Sequence, residues 1–131
     1  MGHGYIVRSG GGSRNGLKLE LLWENGSPSS AFAEQSVSFN WNGCSYYIIE
    51  YCMYSGAVPE RFGNTGFVSV GNATRLSFIT AGNGTTSGGF RDFEPATKKF
   101  DKYTRTTDSE TAFQGGCVPI RIYGVKGVPE S

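Results

Sequence analysis

Two pairs of carboxylates stand two residues apart in the chain, Asp92 with Glu94 and Asp108 with Glu110. On an extended strand this spacing puts both side chains of a pair on one face, ~7 Å apart. That separation is compatible with the paired carboxylates of glycoside hydrolysis. It is equally compatible with solvated strand edges, the simpler reading. Other catalytic arrangements lack their parts. The single histidine, His3, lies next to the start of the chain, so a Ser/His/Asp or Cys/His arrangement has little to build on. Gly10-Gly11-Gly12-Ser13 lacks the Gly-Lys-Ser/Thr that follows in a phosphate-cradling loop. We therefore expect no catalytic residues and no enzyme.

The three cysteines, Cys44, Cys52 and Cys117, show no CxxC or Cys/His spacing of a zinc site. No metal or other cofactor is expected. Cys44 and Cys52 on one continuous strand would be about 26 Å apart and could not bond. A disulfide from either to Cys117 stays open, with three buried thiols as the simpler expectation.

Aromatic and amide side chains are the stronger functional lead. Flat sugar faces stack on aromatic rings, while polar groups take up the hydroxyls. The candidate ligand-binding residues are Trp41, Tyr54, Tyr103 and Tyr123, with Arg91, and with Asn83, Thr85 and Thr86 in a polar stretch from Ala81 to Gly89. Tyr46 is a further ring that an outward face could present. For any one ring, packing in the core or against a neighbouring subunit is the simpler reading.

These side chains must be positioned by strands. Leu17, Leu19, Leu21 and Trp23 alternate with Lys18, Glu20 and Leu22, a half-buried strand. Val37, Phe39 and Trp41 alternate with Ser36, Ser38 and Asn40, a second strand. Asn42-Gly43 then carries the signal of a type I′ hairpin turn leading into Cys44–Tyr54. Within it, Tyr46–Tyr54 is apolar on both parities except Glu50, as suits a central strand covered on both sides. Short strands are also expected at Tyr5–Ser9, Phe67–Val70, Arg75–Thr80, Phe90–Glu94 (where the Phe spacing leaves a bulge open) and Phe100–Thr106. Ala81–Gly89 reads as a surface loop, and Thr107–Glu110 as a turn. The closing segment Gly115–Gly127 places Ile120 and Ile122 on one face and Arg121, Tyr123 and Val125 on the other. No stretch carries a helical period. The expectation is an all-β fold, a jelly-roll-like β-sandwich of about eight to ten short antiparallel strands. Residues 1–131 form one domain in this reading, with 1–16 a loosely ordered N-terminal segment.

Composition agrees. Twenty glycines in 131 residues and 14% aromatics fit many turns between short strands. Twelve basic against eleven acidic residues leave a net charge of +1, which gives no electrostatic reason for a nucleic-acid partner. Lys98, Lys99 and Lys102 make a small basic patch interrupted by Asp101, read as a solvated turn rather than a phosphate site. Apolar runs are too short for a membrane span, and Met1–Gly4 has no apolar core of a signal peptide. Three glycosylation-type sequons, at Asn25, Asn72 and Asn83, carry little weight in so Asn/Ser/Thr-rich a chain.

Two blocks together resemble a known family. The first runs from Leu19-Glu20-Leu21-Leu22-Trp23-Glu24-Asn25 through Pro28-Ser29 and Phe32 to Val37-Ser38-Phe39, followed by the Tyr-rich Tyr46–Tyr54 strand. The second is the closing Cys117-Val118-Pro119-Ile120-Arg121-Ile122-Tyr123-Gly124-Val125-Lys126-Gly127. Between them, Phe90-Arg91-Asp92-Phe93 is similar to an R-x-F strand. In this order the blocks resemble the small β-sandwich head domains of tail-fibre and receptor-binding proteins of tailed bacteriophages, over residues 17–127. The resemblance implies a non-enzymatic, virion tail-associated module made in the host cytoplasm. It also implies a homotrimer that binds a glycan or protein on the bacterial surface and touches other tail proteins. The stalk or attachment segment of that family is missing, and no binding residue carries over because its recognition loops vary. Two other readings stand beside it: a structural tail or baseplate component that binds only virion proteins, and a carbohydrate-binding module of a bacterial protein.

Overall fold

The computed structural model describes residues 17–54, 62–82, 85–105 and 116–127, and the structural statements below concern these. The expected strand at Tyr5–Ser9, the segment 1–16, His3, the turn at Thr107–Glu110 and the Asp108/Glu110 pair lie outside the described residues. Ten strands and no helix occur among those described: β1 Leu17–Glu24, β2 Gln35–Ser36, β3 Tyr46–Tyr54, β4 Phe62–Asn64, β5 Val68–Ser69, β6 Thr74–Gly82, β7 Thr85–Glu94, β8 Lys99–Phe100, β9 Thr104–Arg105 and β10 Gly116–Gly127. They pair antiparallel in two sheets. Sheet A has the order β1-β10-β3-β4, with β5 also on β3. Sheet B has the order β2-β8-β7-β6, with β9 also on β7.

One core lies between the sheets, so the fold is an all-β sandwich. Sheet A supplies Tyr47, Ile49 and Tyr51 from β3, and Val118, Ile120 and Ile122 from β10. Sheet B supplies Leu76, Phe93 and Phe100, and the loop after β1 adds Phe32. Tyr47 meets Phe93 across the sheets at 5.6 Å between ring centroids. Phe32 stands edge-on to Phe100 at 5.5 Å, the T-shaped geometry that ring quadrupoles favour. The parity expected for β10 holds: Ile120 and Ile122 belong to this core, whereas Tyr123 and Val125 do not.

Sheet A is shaped by two bulges. Leu22 is the extra residue where Leu21 and Trp23 of β1 oppose Tyr123 and Ile122. Ile120 is the extra residue of β10 opposite Tyr51 and Glu50. Asn25 satisfies the second bulge. Its backbone N–H donates to the Ile120 carbonyl at 2.8 Å, and its side-chain amide donates to the Pro119 carbonyl at 2.9 Å.

Several expected elements are different in the structure. Val37–Trp41 is not a strand. Only Gln35–Ser36 pairs, with β8, and Val37 then donates its N–H to the carbonyl of Lys98. Val37, Phe39 and Trp41 still pack against the core, so the period of two survives without a ladder. Asn42 and Gly43 have φ of 54° and 76°, and Cys44 N–H donates back to Trp41 at 3.0 Å. This is a tight turn of the expected sign. It does not make a hairpin, because β3 pairs with β10, β4 and β5. Ala81–Gly82 and Thr85–Gly89 are strand rather than loop: β6 and β7 pair without interruption from Thr74↔Phe93 to Gly82↔Thr85, and the bulge left open near Phe90 does not occur. Phe100–Thr106 is split into β8 and β9, because between them Tyr103 turns into the sandwich.

The edge strand β6 is clasped from the opposite sheet. The Tyr51 hydroxyl donates to the carbonyl of Ser77 at 2.7 Å and accepts from the Ser77 N–H at 3.2 Å. All three cysteines are free and buried, so the disulfide left open in the sequence is not formed.

Candidate functional site

Three of the residues read from the sequence as ligand-binding are interior. Arg91 is fully buried. Its guanidinium donates to four backbone carbonyls: Cys117 at 3.1 Å through Nε, Phe32 at 2.8 Å and Asp101 at 2.9 Å through Nη1, and Gly116 at 2.9 Å through Nη2. Burial lowers its pKa to about 10, within the range where it stays protonated at neutral pH. Arg91 is thus a staple between loops, not a surface contact.

Tyr103 is also buried, parallel to Phe78 at 6.5 Å. It fills a slot between the sheets that two glycines leave open, for a Cβ on Gly89 of β7 or Gly116 of β10 would overlap its ring. Tyr123 lies on the side of sheet A away from the core and is buried there. Trp41 is half-buried, edge-on to Phe39 at 4.7 Å and tilted to Tyr47 at 5.4 Å. Its ring is structural packing at the rim of the core. Tyr54 ends β3, and Thr85 and Thr86 begin β7 opposite Gly82 and Ala81. Their side chains, and Asn83 altogether, lie outside the described residues.

What the fold does assemble is a polar trough on the outer face of sheet B. Arg91 and Phe93 point inward from β7, so Phe90, Asp92 and Glu94 point outward. Opposite them on β6 are Ser77 and Arg75. Arg75 chelates Asp92, with Nε to Oδ1 at 2.7 Å and Nη2 to Oδ2 at 3.1 Å, and its guanidinium carbon lies 3.9 Å from the centroid of the Phe90 ring. The pairing raises the pKa of Arg75. Two grooves run over this surface. The larger, of ≈ 450 Å³, is bounded by Arg75, Asp92, Glu94 and Asp101. The second, of ≈ 240 Å³, is bounded by Glu34, Phe90, Lys102 and Thr104, and again by Asp92 and Asp101. The two grooves meet at this shared pair of carboxylates.

Charges in the trough are largely matched. Glu34 pairs with Lys99 at 2.9 Å, and this contact lowers the pKa of the acid and raises that of the base. Lys98 leaves the expected basic patch altogether: it has φ of 56° in the turn before β8 and donates its ammonium to the Phe39 carbonyl. For general acid–base work the Asp92/Glu94 pair is poorly arranged. Both Asp92 oxygens accept from Arg75, and Glu94 Oε2 accepts from the Ala96 N–H at 3.1 Å. No group of three or more His, Cys, Asp or Glu side chains is placed to hold a metal ion among the described residues. No helix long and apolar enough to cross a membrane occurs among them.

In the sequence Asp92 reads as a catalytic candidate, and Arg75, Phe90 and Asp101 carry no motif of a binding site. Strand parity was the available signal: once Arg91 faces inward, its neighbours Phe90 and Asp92 must face out.

The outer side of sheet A has a different character. Register places Leu21, Tyr123 and Ile48 in one row and Leu19, Val125 and Tyr46 in the next. Leu21 and Tyr46 are about half exposed, at 49% and 47%. A third row is ionic, with Arg121 between Glu24 at 3.1 Å and Glu50 at 2.8 Å.

The chain matches no protein-family model, no curated protein and no solved structure.

Proposed function

We propose that this chain is a non-enzymatic attachment module of a bacteriophage tail that binds a glycan of the bacterial surface through the trough on sheet B. The observation that carries the binding reading is the trough itself. It is open to solvent, holds an aromatic ring beneath a chelated guanidinium, and is lined by carboxylates that accept hydroxyl hydrogen bonds. Placing the module on a tail rests on the strand-and-turn pattern of residues 17–127. The homotrimer implied by that pattern would use the half-exposed Leu21 and Tyr46 on sheet A, leaving the trough facing outward.

A panel of bacterial surface polysaccharides, immobilised and probed with the purified chain, tests the reading. Binding that weakens when Arg75 and Asp92 are both replaced by alanine supports it. Absence of binding to every polysaccharide, with retention on purified tail proteins, would favour the second reading, a structural tail component. The exposed apolar residues of sheet A are the feature that favours that alternative. Light scattering adds the assembly state: three times the chain mass is expected.

A further inference from the structure

We infer that the trough takes an unbranched, uncharged saccharide chain, lying along both grooves with its hydroxyls on the carboxylate of Asp101. This inference rests on the attachment reading above and specifies its ligand.

The first argument is shape. The larger groove falls within the range of about 300–1,000 Å³ typical of small-molecule sites. The second continues it past the shared pair Asp92 and Asp101. A single sugar ring is smaller than the larger groove and would leave the other wet, whereas a chain occupies both.

Charge gives the second argument. Asp92 is neutralised by Arg75, and Glu34 by Lys99. Glu94, Asp101 and Lys102 remain, one carboxylate in excess. A phosphorylated or sulfated chain would find no cluster of unpaired cations, and a single carboxylate in excess is too little to select a polycation. A neutral polyhydroxyl ligand meets neither obstacle.

The third argument is preorganisation. Asp101 has its backbone fixed on both sides: its N–H donates to the Asp92 carbonyl at 2.9 Å, and its carbonyl accepts from the buried Arg91. Asp101 lines both grooves and lies within electrostatic reach of Lys99, and no hydrogen bond or ion pair of its side chain occurs among the described residues. The backbone that carries this acceptor is fixed before a ligand arrives, which reduces the ordering cost of binding. Across from it, Arg75 spends two N–H groups on Asp92 and keeps the others as donors, with its plane fixed over Phe90.

Calorimetric titration with a glucose, galactose and N-acetylglucosamine series, each as mono-, di- and tetrasaccharide, tests this, alongside sulfated tetrasaccharides of the same sugars. For at least one series the affinity is expected to rise about tenfold or more from mono- to tetrasaccharide, and to fall about tenfold in Asp101→Asn. The unfolding midpoint of that exposed-site variant should match the parent. Equal affinity for mono- and tetrasaccharide would overturn the inference. So would tighter binding of sulfated chains, or an Asp101→Asn variant that binds like the parent; each of these leaves the attachment reading intact. If no saccharide in the series binds and the polysaccharide panel is also negative, both fall. If only the panel is positive and its ligand proves charged or branched, this inference alone falls.

Discussion

The Arg91 guanidinium holds the carbonyl of Cys117 at 3.1 Å, and Cys117 has a left-handed backbone, φ 46°, inside the long strand β10. A β-carbon residue in that conformation costs free energy and persists only where its surroundings fix it. Arg91 also holds the preceding carbonyl, that of Gly116, and reaches Phe32 and Asp101 on other segments. One side chain thus ties the entry of β10, the loop after β1 and the β8–β9 connection together.

Replacing Arg91 should therefore be among the costliest single changes in the molecule. Arg91→Met leaves several buried carbonyls without a donor and is expected to cost about 3 kcal/mol or more. Arg91→Lys keeps the charge but not the planar fork, and should recover only part of the loss. Urea unfolding followed by tryptophan fluorescence measures both. A loss below about 1 kcal/mol in the methionine variant would contradict the stapling role.

The Tyr103 slot predicts a rescue. Gly89→Ala alone forces a methyl group into the ring and should destabilise by about 1–3 kcal/mol. In a Tyr103→Leu background the ring is gone, so the same alanine should cost much less. A double-mutant cycle measures the coupling. Additive effects would mean that the ring and the glycine do not share the space.

Tyr51→Phe removes the hydroxyl that both donates to and accepts from Ser77 on β6. A loss of about 1–2 kcal/mol is expected in the urea midpoint. The variant should also self-associate more at high concentration, because backbone groups of an edge strand lose their cover. Sedimentation velocity of parent and variant side by side checks the second effect.

Stability should fall in alkali. Burial pushes the Cys117 thiol up to about 12 from its ordinary 9.0, and it also raises Cys52, Tyr51 and Tyr47. Each is held neutral in the fold and ionises more readily once unfolded. The unfolded chain therefore loses protons first as the pH climbs past 9.0, and the thiol contribution, complete below that, is lost towards about 12. Arg91 acts in the opposite sense above about 10, since the folded state is then relieved of a buried charge. Unfolding midpoints should drop from neutral pH to about pH 10.5, and Cys117→Ala should show a shallower drop even though its starting stability is lower.

The long sheet-A strands β1, β3 and β10 are legible in the sequence because their patterns are strong, whereas the three-residue β4 carries no such pattern. Leu19, Leu21 and Trp23 alternate, Tyr46–Tyr54 is too apolar and β-branched to be an edge, and Ile120 with Ile122 marks the inner face of the closing strand. The β6–β7 hairpin was hidden by composition. Its Thr, Ser and Gly residues resemble a loop, although the intervening Asn83-Gly84 is itself of a hairpin type. Val37–Trp41 misled in the other direction, since its rings point inward by period two while its backbone finds Lys98 instead of a strand. Arg91 reads from the sequence as a ligand-binding candidate, because a charge inside a sandwich makes sense only when its acceptors are known. Those acceptors, at positions 32, 101, 116 and 117, are scattered along the chain. Tyr103 was misplaced for a similar reason: its slot exists only where Gly89 and Gly116 face each other. The trough depends on these inward assignments, which is why Arg75 and Asp101 escaped notice.

The position of β10 between β1 and β3 governs the order in which the molecule can be assembled. While the chain emerges from the ribosome, Leu17–Glu24 and Tyr46–Tyr54 have no ladder with each other, because the strand that joins them is made later than every other described strand. Sheet B can complete its β6–β7 hairpin early, from neighbouring sequence. The join of β1 to β3 must wait for residues 116–127, and with it the Tyr103 slot and the Gly116 and Cys117 acceptors of Arg91. Until then the nascent chain exposes two apolar strands with a gap one strand wide, the interval in which chaperones or premature pairing with another nascent chain would act.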